Sequence, residues 1–201
     1  MSEMPRAGIT PDRVTAVGAE LADEIGFEHV TVAEVARRLG VRTASLYSHV
    51  ASTGDLSERI SLLALEELAD RATDAAAGRA RAEAIAALAD AYRDYAREHP
   101  GRFTATLVTL DAATAAASAG PRHARLMEAI LDGYDLAPAA RVHAIRLIGS
   151  TIRGFITLEQ GGSFAHSSPD ADASWREILR ALDTLIQSWP TADTTNAHDN
   201  D

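Results

Sequence analysis

Apolar residues recur every three or four positions along most of the chain, which is the spacing of amphipathic helices. The first such face carries Val14, Val17, Leu21 and Ile25. Thr10 can cap this helix, Pro11 suits its first position and Gly26 can end it. The sequence has no run of alternating β-branched residues bounded by turn signals. The pattern therefore predicts an all-α fold of about nine helices.

Two short helices joined by a tight turn are predicted next. Thr31 and Glu34 can form a capping box at the start of the first, and Gly40 can adopt a positive φ at its end. The second is predicted over 43–50. A stabilising first helix followed by two short helices and a turn is the helix-turn-helix pattern, in which the last helix enters the DNA major groove. Helical hairpins without DNA share this spacing, so the pattern alone leaves both functions open.

Helical spacing continues through the rest of the chain. Long helices are predicted over about 56–76 and 79–98, with a break at His99-Pro100-Gly101. The helix that Pro138 opens is apolar on nearly all sides, as expected for a helix between a core and a second surface. The last helix is predicted to end at Trp189.

Charge changes the interpretation of the turn. The chain of 201 residues has a formal net charge of -10, and all 19 of its basic residues are arginine. Over residues 31–53, however, Arg37, Arg38 and Arg42 accompany a single acid, Glu34, which gives a local charge of +2. A basic segment in an acidic chain is suited to DNA phosphates, and the acids elsewhere limit contact to that segment.

Several other functions are not expected. The sequence lacks the G-x-S-x-G, H-E-x-x-H, Walker and G-x-G-x-x-G motifs, so we do not expect an enzyme. It has no cysteine and its seven histidines do not fall at helical ligand spacing, so we expect neither a metal nor a cofactor. No apolar run approaches the roughly 18 residues of a membrane span. We expect a cytoplasmic protein without membrane contact, and a helical adaptor is the alternative function.

The stretch GFEHVTVAEVARRLGVRTASLYSHV, residues 26–50, resembles the helix-turn-helix domain of the TetR family of bacterial transcriptional regulators. The resemblance lies in the spacing and in the Leu-Tyr-x-His run over 46–49. It implies a homodimeric repressor that binds a palindromic operator in double-stranded DNA and is released by an unknown small-molecule effector. It places Thr43, Ala44, Ser45 and Ser48 near base edges, and Thr31, Arg42, Tyr47 and His49 near phosphates. Thr53 stands where many members carry a phosphate-binding lysine, and the resemblance places it too among the DNA-contacting residues.

The segments YRDYAREHPGRF at 92–103 and IRGFITLEQGGSF at 152–164 are similar to the C-terminal ligand domain of the WHG-type TetR subgroup. A histidine is frequent in that subgroup where this chain has Arg153. Polar and aromatic groups that can line a cavity, or belong to the ordinary core, are Tyr92, Tyr95, Phe103, Tyr134, His143, Arg153 and Phe155. A dimer built from the last two long helices is implied, with Ile152, Ile156, Trp175, Ile178, Leu182, Leu185 and Trp189 at its interface.

These patterns divide the chain into four predicted segments. A flexible arm over 1–9 precedes a helix-turn-helix DNA-binding domain over 10–55. A helical ligand-binding and dimerisation domain over 56–189 follows, and 190–201 form a disordered tail.

Overall fold

The computed structural model describes residues 9–189, and within this range the chain forms ten α-helices and no strand. The helices are α1 (Pro11–Ile25), α2 (Val32–Leu39), α3 (Thr43–Leu46), α4 (Thr53–Ala76), α5 (Arg81–Glu98), α6 (Pro100–Ala105), α7 (Ala112–Ala117), α8 (Gly120–Leu131), α9 (Pro138–Gln160) and α10 (Ala171–Gln187). The all-α prediction is confirmed. The predicted tail and nearly all of the predicted arm lie outside the described residues.

The chain divides into two compact units, each assembled from two separate stretches of sequence. The first unit reaches Ala72 and also includes Ala91–His123, and the second comprises Thr73–Asp90 and the chain from Ala124 onward. Helices α4, α5 and α8 therefore each contribute to both units. We call residues 10–55, the predicted DNA-binding segment, the head; it lies wholly in the first unit.

The first two helices begin and end at the predicted signals. Thr10 Oγ1 accepts a hydrogen bond from the Arg13 N–H at 3.2 Å, and Thr31 Oγ1 accepts one from the Glu34 N–H at 3.2 Å. Gly26, with φ of 90°, follows α1. These side-chain caps satisfy amide groups that a helix leaves unpaired at its start.

The core of the first unit joins the head to later helices. Its fully buried side chains include Val14, Leu21, Val35, Leu46, Leu56, Ile60 and Ala105. Ala105 belongs to α6, and its carbonyl accepts a hydrogen bond from the buried Ser61 hydroxyl at 2.8 Å. The head thus shares one apolar core with α4 and α6.

The second unit is held by aromatic packing and by hydrogen bonds to aromatic side chains. The ring of Phe155 in α9 lies 4.9 Å from that of Trp175 in α10, centroid to centroid. The Trp175 indole N–H donates to Asp90 Oδ1 at 2.7 Å, and the Tyr134 hydroxyl donates to Asp183 Oδ1 at 2.5 Å. These bonds tie α10 to α5 and to the segment between α8 and α9.

Three predicted boundaries are wrong. Helix α3 ends at Leu46, not Val50, because residues 47–49 form a turn in which the His49 and Val50 N–H groups bond to the Leu46 carbonyl. Helix α4 begins at Thr53, three residues before the predicted start. The expected break at His99-Pro100-Gly101 is a single residue, because Pro100 occupies the first position of α6, where its missing N–H costs nothing.

Candidate nucleic-acid interface

A left-handed glycine ends α2 and turns the chain into α3. Gly40 has φ of 69° and ψ of 31°, and the Val41 N–H bonds to the Ala36 carbonyl at 3.0 Å. Glycine adopts this conformation without the steric cost that a Cβ imposes. The turn fixes the direction of α3 relative to α2, because Val41 packs against the buried core of the unit.

The face of α3 and its following turn that points away from the core carries the predicted DNA contacts. Leu46 and Val50 are buried, whereas Ala44, Ser45, Tyr47 and Ser48 are exposed. Tyr47 is 56% exposed, which is unusual for so large an apolar ring. Thr31, Thr43 and His49 are half-buried at the edge of this face, and Arg42 is exposed beside it. We call this face the reading surface.

Two of the three arginines of the segment are paired with acids. Arg37 donates to Glu34 Oε2 from Nε at 2.9 Å and from Nη2 at 2.6 Å. Arg38 donates to both carboxylate oxygens of Glu24 in α1, and its hydrogen bond lowers the pKa of the Glu24 carboxyl. The Arg42 side chain makes no hydrogen bond or ion pair within residues 9–189. The unpaired positive charge of the segment is therefore that of Arg42.

The start of α4, where a phosphate contact by Thr53 was predicted, carries its own acid. Ser52 Oγ accepts the Asp55 N–H at 3.1 Å, and Asp55 Oδ2 accepts the Ala51 N–H at 2.7 Å. The hydrogen bond from Ala51, followed by that from Arg59, lowers the pKa of the Asp55 carboxyl. Thr53 is exposed, but an ionised carboxylate two residues away opposes an anionic ligand there.

The prediction missed a cluster of charged groups that joins α1 to α6. Asp23, at the end of α1, lies beside the side chains of His99 and Arg102. The Arg102 Nη1 donates to Glu67 Oε1 in α4 at 3.2 Å, and the buried Tyr95 hydroxyl donates to Glu67 Oε2 at 2.8 Å. Burial and the adjacent Glu67 carboxylate raise the pKa of the Tyr95 hydroxyl. The members are far apart in sequence, so no local pattern indicates the cluster.

The predicted cavity residues divide between the two units. In the first, Tyr95 and Phe103 are fully buried, and the Tyr92 hydroxyl lies 2.5 Å from Nδ1 of His123. The other ring nitrogen of His123 lies 3.1 Å from the Leu65 carbonyl oxygen, which can only accept. Nδ1 of the neutral ring is therefore the acceptor for the Tyr92 hydroxyl.

In the second unit the remaining cavity residues have different surroundings. Tyr134 and Phe155 are buried, Arg153 is half-buried and His143 is exposed on α9. Burial, with the hydrogen bond to Asp183, raises the pKa of the Tyr134 hydroxyl. Assignment of all seven side chains to one ligand cavity stays a prediction.

The predicted interface residues differ in how much surface they retain. Those buried within the single chain are Ile152, Ile156, Trp175 and Leu182. Ile178 and Trp189 are half-buried, and Leu185 is 46% exposed. The four buried side chains are accounted for by packing inside the subunit, so Leu185 is the member with the most surface to offer a partner.

No group of three or more potential metal ligands lies close enough together to hold an ion within residues 9–189. None of the helices in this range is long and apolar enough to cross a membrane.

Comparison with known proteins links both ends of the chain to one family. Residues 14–60 match the family model described as "Bacterial regulatory proteins, tetR family". Residues 85–182 match the model described as "Tetracyclin repressor-like, C-terminal domain". The first match contains the whole reading surface, and the second contains most of the predicted cavity and interface residues.

Related proteins share most of their length with this chain. An uncharacterized HTH-type transcriptional regulator of Mycobacterium tuberculosis is 32% identical over 162 residues, which cover 80% of this chain and 73% of the relative. A second uncharacterized HTH-type regulator, from Bacillus subtilis, is 27% identical over 185 residues, covering 92% and 93% of the two chains. A crystal structure of a TetR variant from Acinetobacter baumannii in complex with minocycline has a TM-score of 0.68 at 21% identity, covering 92% of this chain and all of that one.

Proposed function

The chain belongs to the TetR family of bacterial transcriptional regulators, and on this premise we propose that it is a homodimeric repressor that a small-molecule effector releases from a palindromic operator. The observation that carries the proposal is the reading surface, where Ser45, Tyr47 and Ser48 stand exposed beside the unpaired Arg42. Such a surface provides hydroxyls and a positive charge for a DNA groove.

Membership in the family also favours one of the two functions that the helical pattern left open, a DNA-binding protein rather than a helical adaptor. Its members are DNA-binding transcription factors rather than enzymes. A helical adaptor has no use for the basic segment over residues 31–53. A regulator that reads chromosomal DNA works where the bacterial chromosome lies, and we extend the proposal to the cytoplasm.

The proposed operator follows from two-fold symmetry. A dimer presents two copies of α3, and adjacent major grooves on one side of B-DNA are about 34 Å apart. Two copies at this separation read an inverted repeat, because each subunit meets the same sequence on opposite strands.

The exposed faces of α9 and α10 support the proposed dimer. Gly154 lies mid-helix on α9 and is exposed, and a Cβ added to it would meet no atom within 4 Å. A mid-helix glycine costs about 1 kcal/mol relative to alanine, and packing inside the subunit does not explain it. Close approach of a second helix would explain a glycine at position 154. The exposed Leu158 and Leu185 supply apolar surface on the same helix pair.

Effector release requires a difference in affinity between two states. To change the ratio of released to DNA-binding conformation from 1:99 to 99:1, the effector must bind the released conformation more tightly than the DNA-binding one by about 5.5 kcal/mol. The effector site is proposed within 85–182, the segment that matches the C-terminal family model. The similarity in fold to a protein that binds minocycline supports a small-molecule site there.

Selection from a random duplex library at roughly physiological salt tests the proposal. The purified protein should retain duplexes with an inverted repeat whose half-sites are one helical turn apart. Retention of half-sites without symmetry would contradict the dimeric mode. If no sequence rises above background for protein freed of copurified small molecules, the proposal is wrong.

A further inference from the structure

The Arg42 side chain differs from those of Arg37 and Arg38 in that no carboxylate is paired with it. Arg37 and Arg38 are each held in an ion pair, with Glu34 and Glu24 respectively, which offsets their positive charge. Arg42 is exposed and directly precedes α3, and its side chain has no hydrogen-bond or ion-pair partner within residues 9–189. Among the three arginines of residues 31–53, it is thus the one whose guanidinium is not held in an ion pair.

The other side chains placed near base edges, those of Thr43, Ala44, Ser45 and Ser48, are short. Ala44 offers only a methyl group, and the Ser48 hydroxyl already donates to the Ser45 carbonyl at 2.9 Å. Methyl groups pack against the thymine methyl, and a single hydroxyl bonds to several bases alike. None of these groups makes the two-point hydrogen bond that distinguishes one purine from the other.

We infer that Arg42 reads a guanine in each half-site, with its guanidinium donating to guanine O6 and N7. The inference rests on the proposed function and adds the class of base pair that the operator must contain. Residues at the beginning of a recognition helix approach base edges, and an arginine fork matches the two acceptors of guanine. Tyr47 and His49 keep the phosphate contacts that the family resemblance implies for them. Arg42 changes role, from the phosphate contact implied by the resemblance to a contact with a base.

The inference makes a specific statement about the operator. Each half-site contains one required G·C pair. At the neighbouring base pairs, Ala44 contacts thymine methyl groups, and Thr43 and Ser45 contact base edges through their hydroxyl groups. Replacement of this guanine by adenine in one half-site weakens the wild-type complex roughly 5- to 150-fold. Replacement by 7-deazaguanine, which lacks the N7 acceptor, weakens it to a smaller extent.

The experiment measures binding of wild-type protein and variants to three duplexes that differ only at this base: guanine, 7-deazaguanine or adenine. Arg42→Ala should bind all three with equal affinity. Arg42→Gln should prefer adenine, because a glutamine amide pairs with adenine N6 and N7. Arg37→Ala, the matched arginine control, should keep the wild-type preference for guanine. Both positions are exposed, so circular dichroism melting should give the wild-type midpoint for every variant.

Two results would overturn the inference and leave the proposed function intact. The first is an inverted repeat that contains no required guanine. The second is an Arg42→Ala protein that keeps the guanine preference, binds every duplex more weakly by the same factor, and shows a salt slope reduced by about one, as a phosphate contact predicts. A library that yields no inverted repeat would instead overturn the proposed function.

Discussion

The carboxylate of Asp23 at the end of α1 caps the start of α6 through Arg102. Asp23 Oδ1 accepts a hydrogen bond from the Arg102 backbone N–H at 2.9 Å, and Oδ2 lies 3.1 Å from Arg102 Nε. Oδ2 also lies 3.1 Å from His99 Nδ1. Because Arg71 Nη2 can only donate to the other ring nitrogen, at 3.2 Å, the neutral ring of His99 carries its proton on Nδ1 and donates to Asp23.

Loss of the Asp23 carboxylate should destabilise the protein. Asp23 and Arg102 side chains are only 15% and 16% exposed, so Asp23→Ala leaves a largely buried guanidinium with one acidic partner fewer. We expect a fall of about 2 to 3 kcal/mol in the free energy of unfolding, measured with urea. Glu20→Ala, an exposed acid on the same helix, should change it by less than about 0.5 kcal/mol. Equal effects of the two substitutions would show that the cluster contributes little.

Gly101 allows α6 to approach the end of α1 at its backbone. A Cβ at this position would lie 1.9 Å from the Ala22 carbonyl oxygen, so Gly101→Ala must displace one helix. We expect a loss of about 3 kcal/mol or more in urea unfolding. Gly54→Ala is the control, because its Cβ would meet only Ser52 Oγ, at an ordinary 3.5 Å, and it should be neutral or gain up to about 1 kcal/mol. A neutral Gly101→Ala would contradict this close contact.

The cap of α4 should make stability depend on acid pH. Its hydrogen bonds lower the folded pKa of Asp55 below the unfolded value. The stabilisation is therefore complete above the unfolded pKa, about 3.9, and disappears as the pH falls through the lower folded pKa. Asp55→Ala should cost about 1 kcal/mol at pH 7, and the difference from wild type should shrink in urea titrations below pH 4. Glu58→Ala serves as control, and a difference that stays constant with pH would refute the assignment.

Tyr47 and Ser45 should have separable effects on DNA binding. Tyr47→Phe removes one hydroxyl expected at a phosphate, so it should weaken binding by about tenfold per subunit on every duplex. Ser45→Ala should instead alter the order of preference among operator variants. Fluorescence anisotropy with the selected operator and a set of single-base variants measures both. A sequence-dependent effect of Tyr47→Phe would move this residue from the phosphates to the bases.

Subunit association should depend on α9 and α10. Leu185→Glu and Gly154→Leu should each raise the dimer dissociation constant at least about tenfold, because one introduces charge and the other bulk into a packed interface. Leu107→Glu is the control, since Leu107 is 45% exposed but belongs to the first unit and is not a member of the proposed interface. Sedimentation velocity over a concentration series measures the shift. If the Leu107 variant dissociates and the Leu185 variant does not, the proposed interface is misplaced.

The sequence predicts those parts of the fold that depend on neighbouring residues. Thr10, Thr31 and Gly40 act within one helical turn of their own position, and the structure confirms each as a helix-end signal. The Ser52 and Asp55 pair has the spacing of a capping box, so the true start of α4 was readable by the same rule. The end of α3 could not be predicted in this way, because Tyr47 and His49 are compatible both with a helix and with the turn that they form.

Contacts between distant residues lie outside such rules. Asp23 and Arg102 are separated by 79 positions, and nothing near either residue indicates the other. The pairing of Arg38 with Glu24 likewise depends on how α1 packs on α2. The sequence therefore predicts the chemistry of the reading surface better than it predicts which arginine remains unpaired.

The presence of Ala105 in the core of the head limits how this regulator can exchange parts with its relatives. A recombinant that transfers only residues 10–55 leaves behind the α6 side chain that completes the core and the Arg102 amide that Asp23 caps. The folding unit that carries the reading surface is therefore discontinuous in the sequence. We expect a graft of residues 10–55 alone to be less stable than one that also carries α6.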